Sequence, residues 1–374
     1  MNRYLKIAIF TLVITLSFLN IAFFIYYLRS DIFWDLAVYH KAVDNYNNNI
    51  NPYSVDQGLL FIYHPLTLYF FRYFGNNNLS IELGFFYILS ILMVVVSLWY
   101  EDKKELLLSV SFGGLGLTSI ASGNVTTFLH LFLLALLLKE VRDDRFFLSY
   151  PVIIVISLIK PYFMAYLFVQ FFIDQGKLKN AIVLWLICFL IYFAVVILYQ
   201  ILYPGIVNNF YTALHYQIIT KGDIGYSFFY LALIITNRGD ISIFLHLLIS
   251  IGLIIILYII RFKWFGVNLS RVNILYLTYF VLTIINPRMK EYDLFPALLS
   301  LFLFGKNILG ETFSKYYLAS LTVVSVPIFV EIGKKLWNIN PSIYLMNNWL
   351  WEWGSILVFL AAIVLNKKLI RLLP

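Results

Sequence analysis

Runs of about 20 apolar residues recur along this 374-residue chain, and they restrict the fold more than any other feature. The first, "IAIFTLVITLSFLNIAFFIYYL" (residues 7–28), is typical. In helical form such a run spans about 30 Å, the thickness of a bilayer's hydrocarbon core. Only 12% of the residues are charged, whereas a soluble domain carries about 25%. The alternation that a β-barrel strand needs is missing. The sequence therefore predicts an all-α polytopic membrane protein, one integral membrane domain over 1–374.

Charge orients it. Arg3 and Lys6 precede the first run and place the N-terminus in the cytoplasm. That run is too long for a signal peptide and is followed by no small-x-small cleavage site, so it reads as an uncleaved span. Residues 29–58 then form an extracytoplasmic loop, whose Arg29 and Lys41 are outnumbered by Asp31, Asp35, Asp44 and Asp56. Further apolar segments read as 59–74, 80–99, 106–121, 125–138, 146–159, 161–173, 181–202, 241–260, 272–286, 291–304, 316–330 and 349–366. The basic connections at 139–145, 174–179, 261–271 and 306–315 and the basic C-terminus all become cytoplasmic if 59–74, short and interrupted by Pro65, does not cross. A second arrangement has both 59–74 and 226–236 crossing, which leaves two basic loops outside. The count is about 11–13 transmembrane helices.

The net charge of +8 is that of a multispan protein with basic cytoplasmic loops, and nucleic acid is not expected as a partner. The single cysteine, Cys188, excludes an internal disulfide and a thiol metal cluster. There is no Walker-type phosphate loop and no His-Glu-x-x-His zinc helix, so neither ATP-driven work nor a metal cofactor is expected. No soluble domain is large enough for a nucleotide sugar. Any donor must be delivered within the membrane.

Polar points concentrate on the predicted outer face: the 31–53 loop, Ser122-Gly123-Asn124, Lys160-Pro161-Tyr162 and "NPRMKEYD" (286–293), joined by a second long loop, 203–240. Polar groups at membrane depth are costly unless they pair or face water, so their convergence signals function. In "DIFWDLAVYHKAVDNYNNNINPY", Ile32, Leu36, Tyr39, Val43 and Tyr46 share one helical face, with Asp31 and Asp35 on another. This predicts an amphipathic interfacial helix after the first span, broken by Asn-Pro turn chemistry. Its carboxylates lie among Phe33, Trp34 and Tyr39, as in a carbohydrate or lipid-headgroup site; a merely solvated face is the plainer alternative. His64 precedes Pro65, which biases it to an extended conformation with a helix beginning at the proline. It reads either as a packing residue or as a functional one. Lys160 needs a partner or must snorkel from a turn. Arg288, Lys290, Glu291, Tyr292 and Asp293 form either a self-neutralising loop or a phosphate clamp in which Arg grips oxygens bidentately and Lys adds a point charge.

Taken in order, "DLAVY" (35–39), "NPY" (51–53), "YHP" (63–65), "SGNVTTFLHLFLLALLL" (122–138), "KPY" (160–162) and "NPRMKEYDL" (286–294) resemble glycosyltransferase family 87, of the C-type, polyprenyl-phosphate-sugar-dependent class. The pattern departs from the family at His64, where a second proline is common, and at Asn124, where a glutamine is. The resemblance implies a C-type glycosyltransferase fold and an enzyme of the bacterial inner (plasma) membrane with its active site on the extracytoplasmic face. It implies transfer of a sugar, most often mannose, from polyprenyl phosphate to a lipid or glycan hydroxyl with inversion. Asp35 matches the family's base, and a carboxylate within hydrogen-bond reach of the attacking hydroxyl is what such chemistry needs. Arg288, Lys290 and Lys160 would hold the donor phosphate. Asp31, Tyr39, Tyr53, His64, Asn124 and Tyr292 would position substrate, with His215 at the acceptor entrance.

Two other readings use the same cavity. A lipid-linked sugar flippase needs the cations but no base, though the chain lacks the internal repeat common in transporters. A glycan polymerase or ligase would consume a polyprenyl diphosphate.

Overall fold

The computed structural model describes residues 34–54, 60–72, 122–173, 178–220, 225, 227–261 and 269–309. Asp31, the first span and the apolar segments 80–99, 106–121, 316–330 and 349–366 lie outside the described residues. Within them the chain is helical, with no strand.

The predicted post-span helix is present as α1 (Trp34–Asn47). Leu36, Tyr39, Ala42 and Val43, spaced three and four apart, are all buried, which is the expected apolar face. That face packs on protein: Tyr53, Phe61, Tyr63 and Phe71. Asn48 Nδ2 returns to the Asp44 carbonyl, Asn49 takes a left-handed φ of 58°, and Asn51 Oδ1 accepts from Tyr53 N, so the Asn-rich turn ends the helix by side-chain hydrogen bonding. Next comes α2 (Leu66–Arg72), starting one residue after Pro65.

The main core surrounds α3 (Val125–Asp143), α4 (Ser149–Ile159), a 3₁₀ stretch (Pro161–Phe168) running into α5 (Val169–Ile173), α10 (Arg271–Ile284) and α11 (Glu291–Leu309). Every residue of α10 from Ile274 to Ile284 is buried, as expected of a helix apolar on all sides. Between α5 and α10 lie α6 (Leu178–Leu202), α7 (Pro204–His215), a π-helical turn (Tyr216–Thr220), α8 (Phe228–Thr236) and α9 (Gly239–Ile259).

Among the described residues, two helices are long and apolar enough to cross a membrane, residues Lys179–Leu202 and Gly239–Ile259, and only 17% of each apolar window is buried in the protein. At 1.5 Å per residue, the 25 residues of α6 reach about 37 Å. Leu190, Ile201 and Phe244 are among the apolar side chains they turn outward. The stretch read as two spans at 146–173 is instead an 11-residue α4 and the 13-residue apolar stretch Pro161–Ile173, each shorter than the roughly 20 residues of a straight crossing. Pro161 causes the break: it forces Lys160 into extended backbone (φ −137°, ψ 110°).

The stretch expected as a second long loop, 203–240, is mostly helical where it is described. Pro204 opens α7, which buries Val207, Phe210 and Ala213, three residues apart. Its Asn208, Asn209, Thr212 and His215 gave it a loop-like composition. The nine residues of α8 reach about 14 Å, too short for the crossing considered at 226–236.

Candidate functional site

Four segments remote in sequence meet around Asp35 and Lys160. Asn124 is the joint. It N-caps α3, its Oδ1 accepting from Thr126 N at 3.0 Å, and its Nδ2 donates to Asp35 Oδ2 at 2.9 Å. Asp35 N donates to the Ser122 carbonyl at 2.9 Å, so backbone and side chain both tie the start of α1 to the start of α3. Gly123 sits between them at φ 68°, which an L side chain would strain. Tyr63 OH reaches Asn124 Oδ1 at 3.2 Å and shares a 2.7 Å hydrogen bond with Tyr39 OH.

Lys160 is the most unusual group. It is 8% exposed, and its ammonium makes no hydrogen bond or ion pair among the described residues. Three rings surround it instead: Nζ lies 4.4 Å from the Tyr292 ring centre, 5.3 Å from Tyr63 and 5.9 Å from Tyr162. Ring faces attract a cation, most strongly where water is thin. Burial lowers the Lys160 pKa to about 8, against the pull of Asp293 and Asp35; Arg288 and Lys290 push the same way as burial. Of the two carboxylates that act on this ammonium, neither touches it.

Arg288 and Lys290 are held on a tight turn. Arg288 N donates to Asn286 Oδ1 at 3.0 Å, and Lys290 N donates to Asp293 Oδ2 at 2.9 Å, half of a capping box at the start of α11. The segment before α8 braces this turn: Ser227 Oγ donates to the Pro287 carbonyl at 2.5 Å. Gly225, at φ 79°, lies so close that a Cβ there would sit 1.9 Å from the Met289 carbonyl oxygen.

The structure thus brings together Asp35, Asn124, Lys160, Tyr292, Arg288 and Lys290. Tyr39 and Tyr53, expected to position substrate, stand behind the centre. Both are 1% exposed; Tyr53 OH donates to the Tyr63 carbonyl at 2.8 Å, and Tyr39 stacks on Phe71. Burial, then Tyr63 and Asp35, raises the Tyr39 pKa well above its ordinary value. Both residues fix Tyr63 rather than line the site. His64 Nδ1 accepts from Leu66 N, while its ring packs on Tyr199 and Phe210 and shares no contact with Asp35 or Lys160. His215 is exposed at the end of α7 with no contact to this centre among the described residues. A groove of about 250 Å³ on α1, lined by Val38, Lys41, Asn45 and Pro52 among others, lies on a part of that helix away from Asp35's partners.

Sequence reasoning gave no role to Tyr63, Tyr162 and His130, and took Asp293 only as one charge of the 286–293 segment. Tyr63 and Tyr162 stand beside the singled-out His64 and Lys160. An ionisable residue inside an apolar run, as in "FLHLFLL", was the available signal for His130. Comparison of the chain with protein-family models, curated proteins and solved structures finds no match.

Proposed function

We propose that the chain is a multispan C-type glycosyltransferase of the bacterial inner membrane. It moves a sugar, mannose as the first choice, from a polyprenyl phosphate to a hydroxyl of a lipid or glycan acceptor on the extracytoplasmic face. The observation that carries this reading is one centre holding both a tethered carboxylate, Asp35, and a buried ammonium, Lys160, that has no hydrogen-bond partner among the described residues.

The chemistry needs both. The acceptor oxygen attacks the anomeric carbon as the bond from that carbon to the phosphate oxygen breaks. Asp35 takes the acceptor proton, and the bond's electron pair leaves on the phosphate, which becomes a monoester dianion. Attack from the face opposite the leaving group inverts the anomeric centre. Asn124 Nδ2 donates to one oxygen of Asp35 and fixes the carboxylate's orientation toward the hydroxyl it would deprotonate. Lys160, with Arg288 and Lys290 on their braced turn, opposes the charge growing on the phosphate, most effectively in a site poor in water. No step calls on a metal.

The test is a transfer assay on purified protein in lipid. Labelled polyprenyl-phosphate mannose, glucose and arabinose are supplied with membrane lipid extract as acceptor, for wild type and Asp35→Asn. Label reaching an acceptor only in wild type supports the reading and names the sugar. Label that merely crosses the bilayer, unaffected by Asp35→Asn, replaces it with the flippase. Transfer from a polyprenyl diphosphate alone replaces it with the polymerase or ligase.

A further inference from the structure

Behind the Lys160 cage lies a buried network that the proposed reaction does not use. His130 and Asp293 are both fully buried, and His130 Nε2 is 3.2 Å from Asp293 Oδ1. Tyr162 OH donates to the same Oδ1 and is 3.3 Å from Nε2. On the other side of the ring, Nδ1 faces Tyr279 OH at 2.9 Å and Tyr166 OH at 3.2 Å.

One placement of the hydroxyl protons gives the ring its charge. Each hydroxyl has one proton to give. Tyr279 gives its proton to the His130 carbonyl at 2.7 Å, and Thr283 gives its own to the Tyr279 carbonyl at 2.7 Å. Tyr166 OH, 2.6 Å from Thr283 Oγ1, therefore donates to it. Tyr162 gives its proton to Asp293. All four hydroxyl protons are then spent, and no oxygen facing the imidazole has one to offer. In this placement both ring nitrogens donate, which makes His130 an imidazolium, a charge that Asp293 supports against burial and the Lys160 ammonium. Its counter-charge is Asp293, kept ionised by donors from His130, Tyr162 and the Lys290 backbone.

We propose that His130 and Asp293 form a buried imidazolium–carboxylate pair whose role is to keep Lys160 unneutralised, so that the caged ammonium receives the phosphate oxygens of a polyprenyl phosphate. The proposal rests on the donor class proposed above. It adds two positioning residues and a reason for the bare ammonium. A lone Asp293 carboxylate would be the natural partner of Lys160 and would repel a phosphate. Paired with His130, and with its second oxygen capping α11, it attracts Lys160 only through space and makes no ion pair with it among the described residues. The other charged groups acting on Lys160 are Arg288, Lys290 and Asp35; the His130 ring feels Asp293 and, opposing its charge, Lys160, and its ring neighbours are neutral: Tyr162, Phe163, Tyr166 and Tyr279.

The test uses the full chain in lipid nanodiscs and needs no transfer activity. Nitrogen-15 spectra of histidine-labelled protein, with His130 assigned by its loss in His130→Gln, read the ring directly. Both nitrogens protonated at neutral pH is the expected result; a neutral imidazole overturns the proposal. Binding of farnesyl phosphate, which carries no sugar, is then compared across variants. His130→Gln leaves Asp293 uncompensated and weakens binding by about tenfold or more. Adding Asp293→Asn to it restores the charge balance and most of the affinity. A purely structural role for the pair predicts no recovery in the double variant, and unchanged binding in His130→Gln also overturns the proposal. Failure of sugar transfer alongside a recovered double variant would sink the glycosyltransferase and leave this inference standing.

Discussion

A buried charge lies at each end of α4, Glu140 of α3 at one and Lys160 at the other, and the two are used in opposite ways. At the N-terminal end, Glu140, 5% exposed, accepts through Oε1 from the backbone N–H groups of Phe147, Leu148 and Ser149, at 2.9, 2.5 and 3.0 Å. These are donors that a helix start otherwise leaves unsatisfied, and an anion there also suits the helix dipole. At the C-terminal end, Lys160, 8% exposed, spends its backbone N–H on the Ile156 carbonyl and its ammonium on nothing but ring faces. A buried charge whose oxygen gathers three helix-start donors closes a structure, even with Glu140 Oε2 left unpartnered among the described residues. A buried charge with unspent donors is a cost that a ligand can relieve.

The contrast breaks most sharply at the centre's carboxylate. Asp35→Asn should lower transfer by about 10² to 10⁴-fold, the usual contribution of a general base, with the melting profile unchanged. Full activity in that variant would remove Asp35 from the chemistry. Next come the two ends of α4 compared directly. Lys160→Met should cut kcat/KM for the donor by about 10 to 100-fold, with thermal stability equal to wild type or higher, because an unpaired buried ammonium is gone. Glu140→Ala should do the reverse: about 1–3 kcal/mol of stability lost as three N–H groups lose their acceptor, with the folded enzyme's kcat kept. Equal destabilisation by both variants would erase the distinction.

A pH profile sharpens it. Burial holds the Lys160 pKa near 8, so the ammonium is charged below that pH and lost above it. Donor binding should fall as pH rises through about 8, and Lys160→Arg, which stays charged, should abolish that limb even if it binds less well. A profile flat to pH 10 in wild type would mean that Lys160 does not carry the phosphate. The smallest expected effect is at the brace. Gly225→Ala should raise the donor KM severalfold by pushing the Arg288 turn away from α8, since a Cβ would fall 1.9 Å from Met289 O and the φ of 79° favours glycine. Asp35-dependent proton removal should remain in that variant.

Much of this was legible in the residues. The 3.6-residue spacing of Leu36, Tyr39 and Val43 announced α1, and the Asn-Pro stretch announced its end. Pro65 and Pro161 marked helix boundaries to within a residue, because a proline restricts its own φ and the residue before it whatever the tertiary context. Asp35, Asn124 and Lys160 stood out as polar groups at apolar depth. The loop-like composition of 203–240 misled because the buried face of α7 is narrow, three small or aromatic residues amid polar ones.

By itself, then, the sequence determined what depends on neighbours along the chain: helical class, turns, long outward-facing apolar helices, and the polar islands between them. The tertiary structure alone decided which groups share charge. Tyr63, Tyr162 and Tyr292 become a cage only when three segments more than 60 residues apart are folded together. Asp293 bonds to His130, 163 residues away. Hydrogen-bond geometry changes over tenths of an ångström, and spacing along the chain carries no record of it.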